Sequence, residues 1–305
     1  MIKAVTVTNH LGESLRLELM KPDESGLLIS NVEGLGPVTA TINTTDVSMM
    51  DGALFNSARL GTRNIVLSLM FLWNPLIEDS RLKTYQYFPV KKRVKLEFET
   101  DRRTCYSYGY VESNEPEIFS EQESTQISII CPDPFFYKSG DVVNISLSSH
   151  APLFEFPFEN PNAGTPIGNH IEFGDITPMT DRNIYYEGEV DIGITVNLFG
   201  RGSVGNVSIY NVTTGDIMTI DVSRIQAATG QAFGNGDQII LNTIPGQKSA
   251  RLLRSGVYYN IMNSIAPGSK WFVLQHGDNQ FSITAVSGIQ NLEASIEYRI
   301  AYQGV

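Results

Sequence analysis

A chain of 305 residues with a formal net charge of −11 is long enough for two hydrophobic cores. The acidic balance holds along the chain, with 14 basic against 18 acidic side chains in residues 1–140 and 8 against 15 in 141–305, which excludes a free-standing nucleic-acid surface in either half. The start at Met1–Thr8 has no continuous apolar core and no stretch approaches the roughly 20 apolar residues of a membrane helix, so the expectation is a protein made in the cytoplasm, with no secretory signal and no membrane partner.

The first half reads as β-rich with one helix. Val5–Val7 and Leu15–Leu17–Leu19 flank a turn at Asn9-His10-Leu11-Gly12, which predicts an opening hairpin. Gly34-Leu35-Gly36-Pro37 forms a turn cluster whose glycines can supply positive φ. Ile65 to Leu72 is an almost unbroken apolar run, expected as a strand buried on both faces. Asn74 is expected to cap a helix opened by Pro75, carrying Leu82, Tyr85 and Phe88 on its core face until Pro89 ends it.

The block from Tyr85 to Tyr137 then predicts a three-stranded meander. Val94, Leu96 and Phe98 alternate with Lys95, Glu97 and Glu99, the period-two mark of a strand with one buried face. Asp101 to Arg103 supplies a polar turn, and Tyr106, Tyr108 and Tyr110 begin a returning strand with its aromatics on one side. A loop rich in Glu and Ser precedes the apolar run Ile127 to Cys131, which Pro132 and Pro134 close. Cys105 and Cys131 are read as buried small hydrophobes in a reducing compartment, a cross-strand disulfide being the alternative.

A domain boundary falls near residue 140, giving a first domain at 1–140 and a second at 141–305. The second shows many short strands spaced by Gly, Asn, Asp and Pro, with no helix expected. Val190, Ile192, Ile194, Val196 and Leu198 alternate with polar or small residues, as do Ile296, Tyr298, Ile300 and Tyr302. Turns fall at Thr214-Gly215-Asp216, Gly234-Asn235-Gly236-Asp237 and Gly277-Asp278-Asn279. Strands at this spacing predict a jelly-roll-like β-sandwich.

Catalytic chemistry finds little footing. His10, His150, His170 and His276 are scattered, without the spacing of a metal site. Gly200-Arg201-Gly202-Ser203 and Gly234-Asn235-Gly236 read as hairpin turns, because neither opens a helix that could cradle phosphate. Glu155 with Glu159, the Glu187–Glu189–Asp191 series, and Asp216 with Asp221 are the carboxylate pairs available to a glycosidase, which needs two across roughly 5–9.5 Å. Period-two spacing makes the middle series a solvated strand face. Neither cofactor nor metal is expected. Tyr185, Tyr259 and Trp271 are the aromatics a sugar-binding sandwich would use. The basic cluster Lys91, Lys92, Arg93, Lys95, Arg102 and Arg103 is either a solvated strand face or an electrostatic dock for the acidic Glu112, Glu115 and Glu117 of an adjacent copy.

The order of features in the Tyr85–Tyr137 block (YFP, basic cluster, strand, ETDRR, GYVESNEPEIFS, acid/Ser loop, QISIICPDPFFY) resembles the distal tail protein family of long-tailed bacteriophages. Gly34-Leu35-Gly36-Pro37, the helix before Pro89, Asn160-Pro161-Asn162-Ala163-Gly164, a Gly-Asp turn before Gln238–Leu241 and the ending Tyr298-Arg299-Ile300-Ala301-Tyr302-Gln303-Gly304-Val305 extend the resemblance over most of the chain. Thr243 to Arg254 departs from the family's pattern. The resemblance implies a β-sandwich or barrel-like first domain that forms a six-membered ring at the tip of the tail tube, and a galectin-like sandwich projecting outward. It implies a structural hub with no chemistry of its own, between the tail tube protein and the tail-tip spike, joined by receptor-binding proteins, with DNA passing through a channel. A carbohydrate-binding adhesin acting through the second domain is the alternative.

Overall fold

The structure, a computed structural model, describes residues 1–49, 51–140, 142–152, 174–178 and 181–305, with backbone alone at 149–152 and 174–178. Glu155, Glu159, Asn160–Gly164 and His170 lie outside the described residues, as does the side chain of His150. The chain divides into two compact units, one of Met1–Gly140 with Ile300–Val305 and one of Asp141–Arg299. The second unit is thus inserted, in sequence, ahead of a short C-terminal return to the first.

The first unit is built on strands β1 (Ile2–Thr8), β2 (Ser14–Glu18), β3 (Leu27–Glu33), β4 (Ala40–Asp46), β5 (Ala53–Leu60), β6 (Arg63–Phe71), β7 (Arg93–Thr100), β8 (Thr104–Glu117), β9 (Ser124–Cys131) and β10 (Phe136–Lys138). One antiparallel sheet runs β2-β1-β7-β8-β9-β6-β3, and β10 bridges β8 to the C-terminal strand Ala301–Tyr302. Its two end strands, β2 and β3, approach one another, so the sheet curls in a barrel-like way. The expected meander is present as neighbours β7, β8 and β9, with Val94 opposite Gly109 and Tyr110 opposite Ile130. Alternate residues Val5, Val7, Ile65, Leu67, Leu69, Val94, Leu96, Phe98, Ile127 and Ile129 are fully buried on one face, and each large apolar side chain so removed from water contributes about 1.5–3 kcal/mol. β6 buries one face completely and the other only partly, short of the two-sided burial expected for Ile65–Leu72. Cys105 and Cys131 are both buried, and no disulfide joins them. Cys131 pairs in register with Arg63 on β6, and Cys105 with Phe98 and Lys138.

Among the described residues this unit has two helices, the single turn α1 (Pro22–Ser25) and α2 (Ile77–Tyr87). α2 begins two residues after the expected start at Pro75. The Asn74 side chain does not cap it, because its Nδ2 donates instead to the Asp23 carbonyl at 2.8 Å. The face of α2 also differs from expectation. Ser80, Thr84 and the following Phe88 are buried, whereas Leu82 is 51% and Tyr85 41% exposed. Small hydroxylated residues let the helix approach β6 and β8 closely, with Ser80 Oγ donating to the Leu72 carbonyl at 2.9 Å.

In the second unit the strands are β11 (Val143–Ser146), β12 (Ser148–Pro152), β13 (Gly174–Pro178), β14 (Arg182–Tyr186), β15 (Ile192–Gly193), β16 (Thr195–Gly200), β17 (Val207–Asn211), β18 (Asp216–Ile220), β19 (Gln238–Asn242), β20 (Ser249–Arg254), β21 (Val257–Asn260), β22 (Val273–Leu274), β23 (Gly277–Ala285) and β24 (Leu292–Tyr298). A six-stranded sheet runs β11-β24-β16-β19-β20-β21 and a four-stranded one β14-β23-β17-β18. Val196, Leu198, Ile239, Leu241, Leu252 and Ile296 from the first, with Ile184, Ile209, Met218, Ile220 and Phe281 from the second, form a buried core. The result is a mainly β chain with a sandwich as its second unit.

Three expectations are corrected here. The alternation through Val190–Leu198 breaks between β15 and β16, where a Cβ on Gly193 would stand 2.4 Å from the Ile244 Cα. A helix the sequence reading omitted, α3 (Val222–Thr229), follows β18; Asp221 Oδ1 accepts from the Ser223 amide at 3.0 Å as its cap, and Gly230 at φ 81° closes it. The alternation from Ile296 to Tyr302 is not one strand, because β24 ends at Tyr298 and Ala301–Tyr302 pairs with β10.

Candidate functional site

The most exposed element of the first unit is the β4–β5 hairpin. Every residue of both strands is exposed, and the two pair only with each other. Directly opposed residues share a face, so Ala40 with Leu60, Ile42 with Ala58, and Thr44 with Phe55 lie on one side. Thr41 with Arg59 and Asn43 with Ser57 lie on the other, where Asn43 Nδ2 donates to Ser57 Oγ at 3.0 Å. Thr45 with Leu54 also lies on that second face, so both faces carry apolar side chains, and no described residue covers either; Phe55 is 66%, Ile42 62% and Leu54 54% exposed. A lone two-stranded ribbon is marginal in water. The signals that could have found it are the dipeptide Asp51-Gly52, with Gly52 at φ 90°, between two alternating runs.

The base of the arm is held by Arg63, which is 2% exposed. Its guanidinium donates to the carbonyls of Gly34, of Gly36 at 2.7 Å, of Pro134 at 2.8 Å and of Gln303 at 2.7 Å, and lies 4.2 Å from the Phe136 ring centre. No carboxylate forms an ion pair with it among the described residues, and burial pushes its pKa below the ordinary arginine value. Gly34 adopts φ 81°, and a Cβ there would lie 1.9 Å from the Asn64 carbonyl oxygen, so the turn requires glycine. A cavity of about 380 Å³ opens between this turn and the return strand at Gly61–Asn64. The C-terminal return adds Arg103, which donates to the Gly304 carbonyl at 2.9 Å and stacks 4.3 Å above Tyr302.

The basic cluster divides along β7. Lys91, Lys92 and Arg93 sit at its start and Arg102 and Arg103 beyond its end, separated by an eight-residue strand of roughly 25 Å. Arg93 stacks 3.9 Å above Tyr108, and Lys95 pairs with Glu97 at 2.8 Å while lying 4.7 Å from the Tyr106 ring centre. Glu112 follows Tyr110, the register partner of Arg93, and accepts from Ser128 Oγ at 2.8 Å; Glu115 and Glu117 continue along β8.

In the second unit Tyr185 is exposed on β14, edge-on to His276 with ring centres 6.4 Å apart. Tyr259 lies on β21 at the edge of the other sheet, and Trp271 sits 5.7 Å from Lys248 Nζ. These aromatics stand on separate elements. A buried ion pair organises the loop before β19: Arg254 Nε donates to Asp237 Oδ1 at 2.7 Å and Nη2 to Oδ2 at 2.6 Å, and Asp237 also accepts from the Gly234 amide. The bond to Asp237 raises the Arg254 pKa. Among the described residues no group of three or more His, Cys, Asp or Glu could hold a metal ion, and no helix is long and apolar enough to cross a membrane.

The fold of this chain is similar to that of the crystal structure of the SPP1 Dit (gp 19.1) protein, described as a paradigm of the hub adsorption apparatus in phages infecting Gram-positive bacteria, at a TM-score of 0.61 and 10% identity over 97% of this chain and 99% of that one. The phage P2 baseplate in its activated conformation with Ca also matches, at a TM-score of 0.45 and 11% identity over the whole of both chains. No protein-family model matches the sequence, and no curated protein matches it significantly.

Proposed function

We propose that this chain is a structural hub of a phage tail tip, a distal tail protein whose first unit closes into a six-membered ring. The observation that carries the reading is the β4–β5 arm, a ribbon with exposed Ile42, Leu54, Phe55 and Leu60 that no described residue covers, which suits it to be completed by another chain. The shared fold supports the same role. The ring would join the tail tube protein to the tail-tip spike and leave a channel for DNA, with the second unit as the platform for receptor-binding proteins. The chain would act in the virion tail tip, without catalysis.

Absolute mass by light scattering over a concentration series tests this. Six copies of a 33.8 kDa chain give roughly 200 kDa in a head-to-tail ring. Replacing residues 40–60 by a short Gly-Ser link is expected to leave a folded monomer, since no described residue of the arm is buried. A ring that survives the deletion would remove the arm from the interface.

Within this ring, Lys91, Lys92, Arg93, Arg102 and Arg103 of one copy face Glu112, Glu115 and Glu117 of the next. Reversing Lys91, Lys92 and Arg93 to Glu is expected to weaken assembly most at low salt, where the Debye length is long. An unchanged oligomer at 20 mM salt, taken as a condition of low ionic strength on the order of the 10–30 Å screening range, would discard this contact.

A further inference from the structure

We infer that the outer face of the six-stranded sheet in the second unit binds a neutral oligosaccharide; the inference goes beyond the ring reading and does not rest on it. Register defines the face, since directly opposed residues lie on one side of a sheet. Val196, Leu198, Ile239 and Leu241 fill the core, so the residues between them along β16 and β19 point away from it. One outward row across β16, β19, β20 and β21 reads Phe199, Gln238, Leu253, Tyr258. The next reads Asn197, Ile240, Arg251, Asn260. A third carries Glu297, Thr195 and Asn242 from β24 to β19. Rows stand about 7 Å apart and neighbouring strands about 4.8 Å.

The first row is an apolar strip, with Phe199 and Leu253 half-buried and Tyr258 58% exposed. Beside it the polar groups are already held in place. Glu297 Oε1 accepts from Asn197 Nδ2 at 3.0 Å and from Asn144 Nδ2 on β11 at 3.1 Å, and Gln238 Nε2 donates to Asn197 Oδ1 at 3.2 Å. This chain of bonds crosses four strands, so its side chains have little rotamer freedom left to lose when a ligand arrives. Arg251 is exposed, lies 5.6 Å from the Tyr258 ring centre and makes no hydrogen bond with a described residue, which leaves its fork of donors open. Charge then selects the ligand. Glu293, at the end of the first row, is paired with Arg201 by two bonds of 3.0 Å, and Glu297 and Arg251 balance one another. A face that is neutral within a chain of net charge −11 suits an uncharged ligand better than an ionic polymer. A hexose presents C–H bonds on one side of its ring and hydroxyls around the edge. The strip ending in Tyr258 matches the first, and the amides, Glu297 and Arg251 match the second.

The test is titration of the full chain with a panel of soluble, defined oligosaccharides of hexoses and N-acetylhexosamines, and with uronic-acid oligosaccharides for comparison. Soluble monovalent sugar reads the affinity of each site without avidity, so a ring and a monomer give the same answer. At least one neutral member is expected to bind with a Kd of ~1 mM or tighter. Tyr258→Ala and Arg251→Ala, both at exposed positions, are each expected to weaken that binding by roughly tenfold without moving the thermal unfolding midpoint. Tyr185→Ala, on the other sheet, is expected to leave it unchanged. No binding of any neutral member at ~10 mM, or tighter binding of the uronic-acid sugars, overturns the assignment. So does a loss of binding in Tyr185→Ala that Tyr258→Ala and Arg251→Ala do not show.

Discussion

Replacing Arg63 by methionine is expected to destabilise the first unit by about 3 kcal/mol, even though it removes a buried charge. Two effects oppose. Losing the guanidinium relieves its desolvation, but it orphans the carbonyls of Gly34, Gly36, Pro134 and Gln303. Each acceptor left unpaired in the interior costs about 1–3 kcal/mol, and four of them outweigh the relief that a neutral side chain brings. Arg63→Lys should fall between, since an ammonium has three protons for four acceptors. Chemical denaturation followed by a first-unit probe such as the tyrosines of β8 reads the shift. Because Gln303 lies in the C-terminal return, deleting residues 301–305 should cost less in the Arg63→Met background than in the wild type. Full additivity would show that Arg63 does not hold the return in place.

Arg254→Met is expected to cost the second unit about 3–5 kcal/mol, because it strands the Asp237 carboxylate in the interior. The pair is well buried, with side-chain exposures of 14% for Arg254 and 6% for Asp237. Arg254 also ties down the loop before β19 through the carbonyls of Gln231 and Ala232. Replacing both partners, as in Arg254→Met with Asp237→Leu, should recover much of the loss, since a buried ion pair offsets its own desolvation only in part. Thermal unfolding of the two variants settles it. Equal loss in both would mean that the loop hydrogen bonds, rather than the stranded charge, set the cost.

The period-two runs were legible because a strand with one buried face writes its burial into alternate residues. Val94–Phe98, Ile127–Cys131, Val207–Asn211 and Leu292–Tyr298 follow that rule. Proline and glycine marked the ends of elements, and the ordered motifs between Tyr85 and Tyr137 carried the resemblance to tail hub proteins. Alternation cannot say which strands become neighbours, however, so Ile296–Tyr302 read as one strand although it ends one sheet and joins another. The α3 helix was hidden because its first residue, Val222, continued the alternation of β18.

Composition and local pattern were enough to determine a mainly β, acidic chain, since those properties depend on near neighbours in sequence. The direction α2 faces, the exposure of the arm and the convergence of four carbonyls on Arg63 were decided by the tertiary structure. Each depends on segments distant in sequence, as in the contact of Arg63 with Gln303 across 240 positions. An apolar residue in a helix signals that it will be buried, and only the packed chain shows that Leu82 and Tyr85 stand exposed among the described residues.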